Sequence, residues 1–327
     1  MPALADLYDV LLFDLDGTVW EGGRALDHAV PSIVEAGVKP FYITNNASPS
    51  LLVAEMLAKI GLDCSSDEII TSAEAALELA RPFLSEGDAV LVPGAPSFKE
   101  LVTGAGYRVV SSADDCPVVV LQGHSPDTGW QELSEAALAV RNGAVYLASN
   151  LDTSLPMVRG LMVGNGSMVA AVTSATGVVP EAAGKPEPAM FHQAVSLSGA
   201  QKALAVGDRL DTDIAGGNRA GMDTLQVLTG VSGPYALLKA KPEERPTYIA
   251  DDLRGLLADD GDLKPGPQGG FEATLHGDTL LLSGGAERST STEALRTALG
   301  VAWAVNTEVR TVEPVSKWAQ GAVEAWW

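Results

Sequence analysis

The sequence predicts an α/β protein with a doubly wound, mostly parallel sheet and a small C-terminal α/β appendage. Short apolar, β-rich runs alternate with helix-like segments along most of the chain, the signature of βαβ units whose sheet is covered on both faces. Two of these runs end in clustered aspartates, at the place where sheets of this kind carry their chemistry. A stretch dense in Gly and Pro then sets the last part of the chain apart.

Taken in order, Tyr8–Phe13, Pro40–Thr44, Ala89–Val92, Val118–Gln122, Val145–Ala148, Ala203–Val206 and Thr224–Leu228 read as buried strands. Leu51–Ile60, Ser72–Leu84, Gln131–Arg141, Pro188–Ser198 and Ile214–Ala220 read as helices between them. Residues 261–270, Gly-Asp-Leu-Lys-Pro-Gly-Pro-Gln-Gly-Gly, can continue neither a helix nor a central strand and read as a linker. Beyond it, Glu272–Leu275 and Thr279–Ser283 form a hairpin pattern around His276-Gly277-Asp278. Thr292–Leu299 and Val315–Trp327 read as helices. A segment this short is marginal as an independent fold, so it should pack on the main body or on a partner subunit.

The chain has 327 residues, 46% of them apolar, enough for a sizeable core. Lys and Arg number 21 against 42 Asp and Glu, a formal charge of −21. This field repels nucleic acid and acidic membrane surfaces, so neither is an expected partner. An anionic substrate must then be held by local positive charge and a metal. Cys64 and Cys116 cannot build a disulfide framework or a familiar zinc site. They fit a reducing cytoplasm and read as buried core residues. The acidic N-terminus has no signal-peptide pattern, and no apolar run suits membrane insertion. His28, His124, His192 and His276 have no metal-ligand spacing. Trp318, Trp326 and Trp327 could be an interface patch or a docked helix end, and a homo-oligomer is left open.

The first strand runs into Phe13-Asp14-Leu15-Asp16-Gly17-Thr18. Carboxylates two residues apart on an extended strand end point the same way and repel. An isolated Asp-x-Asp is common in surface turns, but this one follows a fully apolar strand. A divalent cation relieves the repulsion, and Mg2+ accepts a few carboxylates together with water and substrate phosphate. Ala203–Val206 leads into a second cluster, Asp208, Asp211 and Asp213, which is also costly without a cation. Thr44, Asn45 and Asn46 offer a hydroxyl and two amides after a third strand. Lys185 lies in Gly184-Lys185-Pro186, ahead of a predicted helix.

Asp-x-Asp-Gly-Thr, strand–Thr, Gly-Lys-Pro and Gly-Asp-x-x-x-x-Asp, in this order, resemble the four motifs of the haloacid dehalogenase superfamily. The chain is similar to the subgroup with a large cap between the second and third motifs, which includes pyridoxal phosphate, phosphoglycolate, nitrophenylphosphate and nucleotide phosphatases. The resemblance spans residues 7–259. It implies a Rossmann-like core (residues 1–80 and 180–260), an inserted α/β cap (81–179), the linker and the appendage (271–327). It implies that Asp14 is the nucleophile and Asp16 the general acid/base. Mg2+ is expected on the Asp14 carboxylate, the Asp16 backbone carbonyl and Asp208, with Asp213 as support. Thr44, Asn45 and Asn46 are expected to bind phosphoryl oxygens, and Lys185 to neutralise charge on nucleophile and phosphate. Gly164-Asn165-Gly166-Ser167 resembles the glycine turn that leads the cap back towards the core.

A cap restricts access and favours a small phosphorylated metabolite as partner. Ser149–Pro156 resembles the family's specificity stretch. Pyridoxal phosphatases tend to carry a histidine where Leu155 stands, which points to a smaller aliphatic ester unless Leu155 is a cap core residue. A capped phosphatase with a short appendage resembles the actinobacterial glycerol 3-phosphate phosphatases, whose C-terminal piece resembles part of an acetyltransferase fold. Glycerol 3-phosphate is therefore the favoured substrate. Phosphoglycolate, a nucleoside monophosphate or pyridoxal phosphate are alternatives, as are a phosphomutase and a non-catalytic metabolite-binding protein. The appendage lacks a loop suited to coenzyme A pyrophosphate, so no acetyl transfer is expected.

Overall fold

Val10-Leu11-Leu12-Phe13 is apolar at every position and buried on both sides, as a central parallel strand must be. In the computed structural model, which describes residues 2–157, 159–305 and 309–326, the chain forms two compact units, Met1–Phe41 with Ser198–Trp327, and Tyr42–Leu197. In the first unit, Val10–Phe13 pairs in parallel with Ala203–Gly207, which pairs with Asp223–Val227 and then Tyr248–Ala250. Asp14 and Asp208 thus follow the ends of adjacent parallel strands. The register brings Phe13 opposite Val206, and the Asp14 N–H donates to Val206 O at 2.8 Å.

The second unit holds a parallel sheet of five strands. Their order is Glu181–Ala182, Val145–Ala148, Val119–Gln122, Ala89–Leu91, Arg108–Val110. Leu91, Val120, Tyr146, Val169 and Val172 share one of its cores. The strand Lys39–Thr44 enters this unit at Tyr42 and pairs in parallel with Ile69–Thr71. Ser154–Met157 and Gly160–Val163 form an antiparallel hairpin. Leu155 is 37% exposed on that hairpin, so it is not a cap core residue.

The C-terminal hairpin forms as Phe271–His276 against Thr279–Gly284. A third strand, Thr311–Pro314, adds to it in parallel, and the helices are Ser291–Ala304 and Lys317–Glu324. This sheet and its helices close over the first unit. Phe271, Leu295 and Leu299 lie in one core with Leu210, Leu237 and Ile249. Arg296 is only 7% exposed. Its guanidinium donates to Ile249 O from Nε at 2.9 Å and from Nη2 at 2.6 Å, and to Gln268 Oε1 at 3.2 Å. Burial pulls its pKa below the usual arginine range. Trp326 is buried and its indole donates to Ser291 O, whereas Trp318 is 39% exposed; Trp327 lies outside the described residues.

Three expectations need correction. Cys116 is exposed and Cys64 half-buried, so neither is a core residue. Cys116 follows a single 3-10 turn, Ala113–Asp115, which sits at the surface. Residues 164–167 are not a simple turn but open the twelve-residue helix Asn165–Thr176, with Gly164 at its N-cap. The helix predicted over Ser72–Leu84 is α-helical only to Ala80, because Pro82 converts the next turn to 3-10 geometry.

Candidate active site

The carboxylates of Asp14, Asp208 and Asp213 offer oxygens that lie within 4.8 Å of one another. Among the described residues this is the group of His, Cys, Asp or Glu side chains placed to hold a metal ion. Asp208 is fully buried, Asp213 is 3% exposed and Asp14 is half-buried. Three anionic groups this close and this dry repel strongly without a cation. The donors are all hard oxygens, which suits Mg2+, so the residues present fit that ion.

Local sequence explains how each carboxylate is aimed. After Gly207 the chain turns through a π-helical segment, Leu210–Ile214, a geometry found at functional sites. The turn folds Asp213 back so that its carboxylate accepts the Arg209 N–H at 3.0 Å. Asp211, the middle aspartate of that run, points away and pairs with the Arg209 guanidinium at 2.9 Å. Asp208 accepts from Val231 N at 2.6 Å and from Thr18 Oγ1 at 3.4 Å. Gly17, at φ +92°, faces the same carboxylate, and a Cβ there would stand 2.7 Å from its Cγ. Gly230 approaches even closer, so any side chain there would collide with Asp208.

Asp16 is exposed, and its Oδ1 accepts the Trp20 indole N–H at 2.9 Å. Trp20 itself is buried, and its backbone is tied into the same loop: Gly17 N donates to Trp20 O at 2.8 Å.

In the second unit, Thr44 is buried at its strand end and its Oγ1 accepts Asn46 N at 3.0 Å. Asn46 is exposed and forms a local turn by accepting from Ser48 N at 2.9 Å. Lys185 is 3% exposed, and its Nζ donates to Ile43 O at 2.9 Å. Asn45 is committed to Lys185: its Oδ1 accepts Lys185 N at 2.8 Å and its Nδ2 donates to Lys185 O at 3.0 Å. The structure thus brings Asp14, Asp208 and Asp213 together in one unit, and Thr44, Asn45 and Lys185 together in the other.

Sequence reasoning missed Trp20 and the whole Thr229–Ser232 loop. Thr229 Oγ1 donates to Gly17 O at 2.6 Å, and Ser232 N donates to Asp208 O at 3.1 Å. The buried Gln226 amide also donates to Asp208 O at 2.7 Å and to Ser232 O at 3.1 Å. The only hint was a buried-strand glutamine followed by Thr229-Gly230-Val231-Ser232-Gly233, which also passes for ordinary loop composition.

A family model for haloacid dehalogenase-like hydrolases matches residues 11–108, and a second, HAD-hydrolase-like model matches residues 182–256. The chain is 44% identical over 281 residues to the D-glycerol 3-phosphate phosphatase of Mycobacterium tuberculosis, covering 86% of this chain and 80% of that one. It is 35% identical over 261 residues to the acid sugar phosphatase of Staphylococcus epidermidis, covering 77% of this chain and 98% of the relative. The crystal structure of a glycerol phosphate phosphatase from Mycobacterium tuberculosis in complex with magnesium superimposes with a TM-score of 0.93 at 39% identity, over 100% of this chain and 99% of that one. On its motifs, its fold and these likenesses, the chain belongs to the haloacid dehalogenase-like hydrolases.

Proposed function

We propose that this chain hydrolyses small phosphomonoesters with Mg2+, with glycerol 3-phosphate as the favoured substrate, giving glycerol and inorganic phosphate. The observation that carries the reading is the convergence of the Asp14, Asp208 and Asp213 carboxylates just beyond the ends of two adjacent parallel strands. The likeness to a glycerol 3-phosphate phosphatase over most of both chains supports the substrate.

Mg2+, held by Asp14, the Asp16 backbone carbonyl and Asp208 with Asp213 in support, supplies positive charge to the phosphoryl group. An Asp14 carboxylate oxygen attacks phosphorus, forming the aspartyl–phosphate bond as the bond to the alkoxide breaks. Asp16 gives its proton to the leaving alkoxide oxygen, then takes one from the water that attacks phosphorus in the second step. That attack breaks the bond to Asp14 and releases inorganic phosphate. Thr44 and Asn46 bind phosphoryl oxygens and Lys185 offsets the charge that builds between nucleophile and phosphate, while the Asn45 amide is committed to the Lys185 backbone. The Trp20 indole holds Asp16 in one orientation.

Residues 1–80 and 180–260 serve as core and 81–179 as cap, with 261–270 linking to the appendage. No helix among the described residues is long and apolar enough to cross a membrane. Neither cysteine is disulfide-bonded, which suits the cytoplasm.

The test is phosphate release from glycerol 3-phosphate, phosphoglycolate, pyridoxal phosphate, a nucleoside monophosphate and nitrophenyl phosphate, with Mg2+ and with chelator. Chelator-sensitive release that favours glycerol 3-phosphate is the expected result. Preference for another ester corrects the substrate, and no release from any of them overturns the hydrolase.

A further inference from the structure

Asn45 has more partners than a phosphate ligand needs. Its side-chain amide pairs with both backbone groups of Lys185, accepting from N at 2.8 Å and donating to O at 3.0 Å. Its second N–H goes to Asp152 Oδ2 at 3.0 Å. Both amide protons and one acceptor position are therefore taken. The Asn45 carbonyl accepts from Asn150 Nδ2 at 2.9 Å and from Ser72 Oγ at 2.7 Å. Glycine is required at position 184 for this approach: a Cβ there would stand 2.7 Å from Asn45 Oδ1 and 2.6 Å from Ser149 O.

Asp152 lies in the stretch expected to set specificity. It is half-buried, and its backbone N–H is fixed to Asn150 Oδ1 at 3.2 Å. A carboxylate is a poor neighbour for a phosphate dianion, because like charges repel. Its bond to the Asn45 amide is charge-assisted and so stronger than a neutral one. It holds the amide in the orientation that leaves Oδ1 facing Lys185 N. Lys185 Nζ in turn donates to Ile43 O at 2.9 Å, so Lys185 is pinned at its backbone and at its ammonium.

We infer that Asn45 and Asp152 are positioning residues, with Asp152 orienting the Asn45 amide so that Asn45 fixes Lys185 for the transition state. This rests on the phosphatase reading, yet it gives the Asn45 side chain a role other than phosphoryl binding and gives the specificity stretch a direct hold on the charge-neutralising lysine. A ligand that displaces Asp152 from Asn45 loosens Lys185; one that leaves the bond intact does not.

The experiment compares Asn45→Ala, Asp152→Ala, Asp152→Asn and the double alanine variant in the full chain. It reads kcat, KM and the affinity for orthovanadate, which imitates the five-coordinate phosphoryl group. Asp152→Ala should lower kcat and vanadate affinity about tenfold, the scale of one charge-assisted hydrogen bond, with KM changed less than about twofold. Asp152→Asn keeps an acceptor and should recover most of that loss. The double variant should be no worse than Asn45→Ala alone, as expected of two residues acting through one bond. A rise in KM alone in Asp152→Ala, or additive losses in the double variant, overturns the inference. Vanadate binding separates the two readings. If no ester is hydrolysed but vanadate affinity still falls as described, the phosphatase reading fails and the positioning role stands; unchanged vanadate affinity in Asp152→Ala overturns the role.

Discussion

Val231 donates its backbone N–H to the Asp208 carboxylate at 2.6 Å, and the residue before it, Gly230, leaves no room for a side chain against the same group. A loop with no charge of its own therefore sets the direction of a buried metal-ligand candidate. Gly230→Ala should force the loop or Asp208 to move. Misaligned support around a metal ligand typically costs about 10–100-fold in metal affinity. Calorimetric Mg2+ titration of the variant should show a loss of that size, with the thermal transition still cooperative. Unchanged affinity would mean that Asp208 tolerates a shifted loop.

Asp14→Asn removes the proposed nucleophile while preserving shape. Phosphate release should drop to background, and the folded state should persist, because the side chain keeps its volume. Activity close to that of the unmodified chain would remove Asp14 from its proposed role.

Trp20→Phe deletes the indole N–H that Asp16 accepts at 2.9 Å and leaves most of the ring volume in place. The expected effect is a fall in kcat of about three- to tenfold, the worth of one ordinary hydrogen bond at an exposed carboxylate, with little change in KM. A change confined to KM would place Trp20 in substrate recognition instead.

The two thiols should differ in reactivity. Burial pushes the Cys64 thiol up to about 11, helped by the nearby Glu68 and Asp63 charges, so little of it is thiolate at pH 8. Cys116 is exposed. Iodoacetamide at pH 8 followed by peptide mass analysis should find Cys116 labelled first, with Cys64 protected until the chain unfolds.

Much of the site was legible because the chemistry sits at strand ends, and strand ends show in an apolar run followed by polar residues. Asp14, Asp208 and Thr44 could be picked out this way, whereas Lys185 stood out only through the Gly-Lys-Pro resemblance. The Asn45–Asp152 and Asn45–Lys185 bonds could not, because the partners stand 107 and 140 residues apart and nothing local marks them. The helix Ala29–Ala36 was missed because Pro31 reads as a breaker, although a proline in the first turn costs no hydrogen bond. The strands Arg108–Val110 and Tyr248–Ala250 have three residues each, too few for periodicity to register. Composition did not separate Asp211 from Asp213; the motif spacing favoured Asp213, and the π turn that aims its carboxylate has no sequence signature of its own.

The buried Arg296 has a consequence for how the molecule behaves when damaged. Tyr248–Ala250 is the outermost strand of its sheet. Ala250 O points inward, accepting from Leu228 N at 3.1 Å, so Ile249 O points outward, where another chain could dock. The guanidinium occupies that carbonyl with two N–H groups. Arg296→Ala should therefore cost about 3 kcal/mol through an unpaired buried carbonyl and a cavity, read as a lower Tm. Open strand edges recruit other strands. The C-terminal segment is thus an edge guard: a chain clipped after residue 270 would present raw backbone and uncovered leucines to its neighbours, and its first symptom would be self-association rather than lost chemistry.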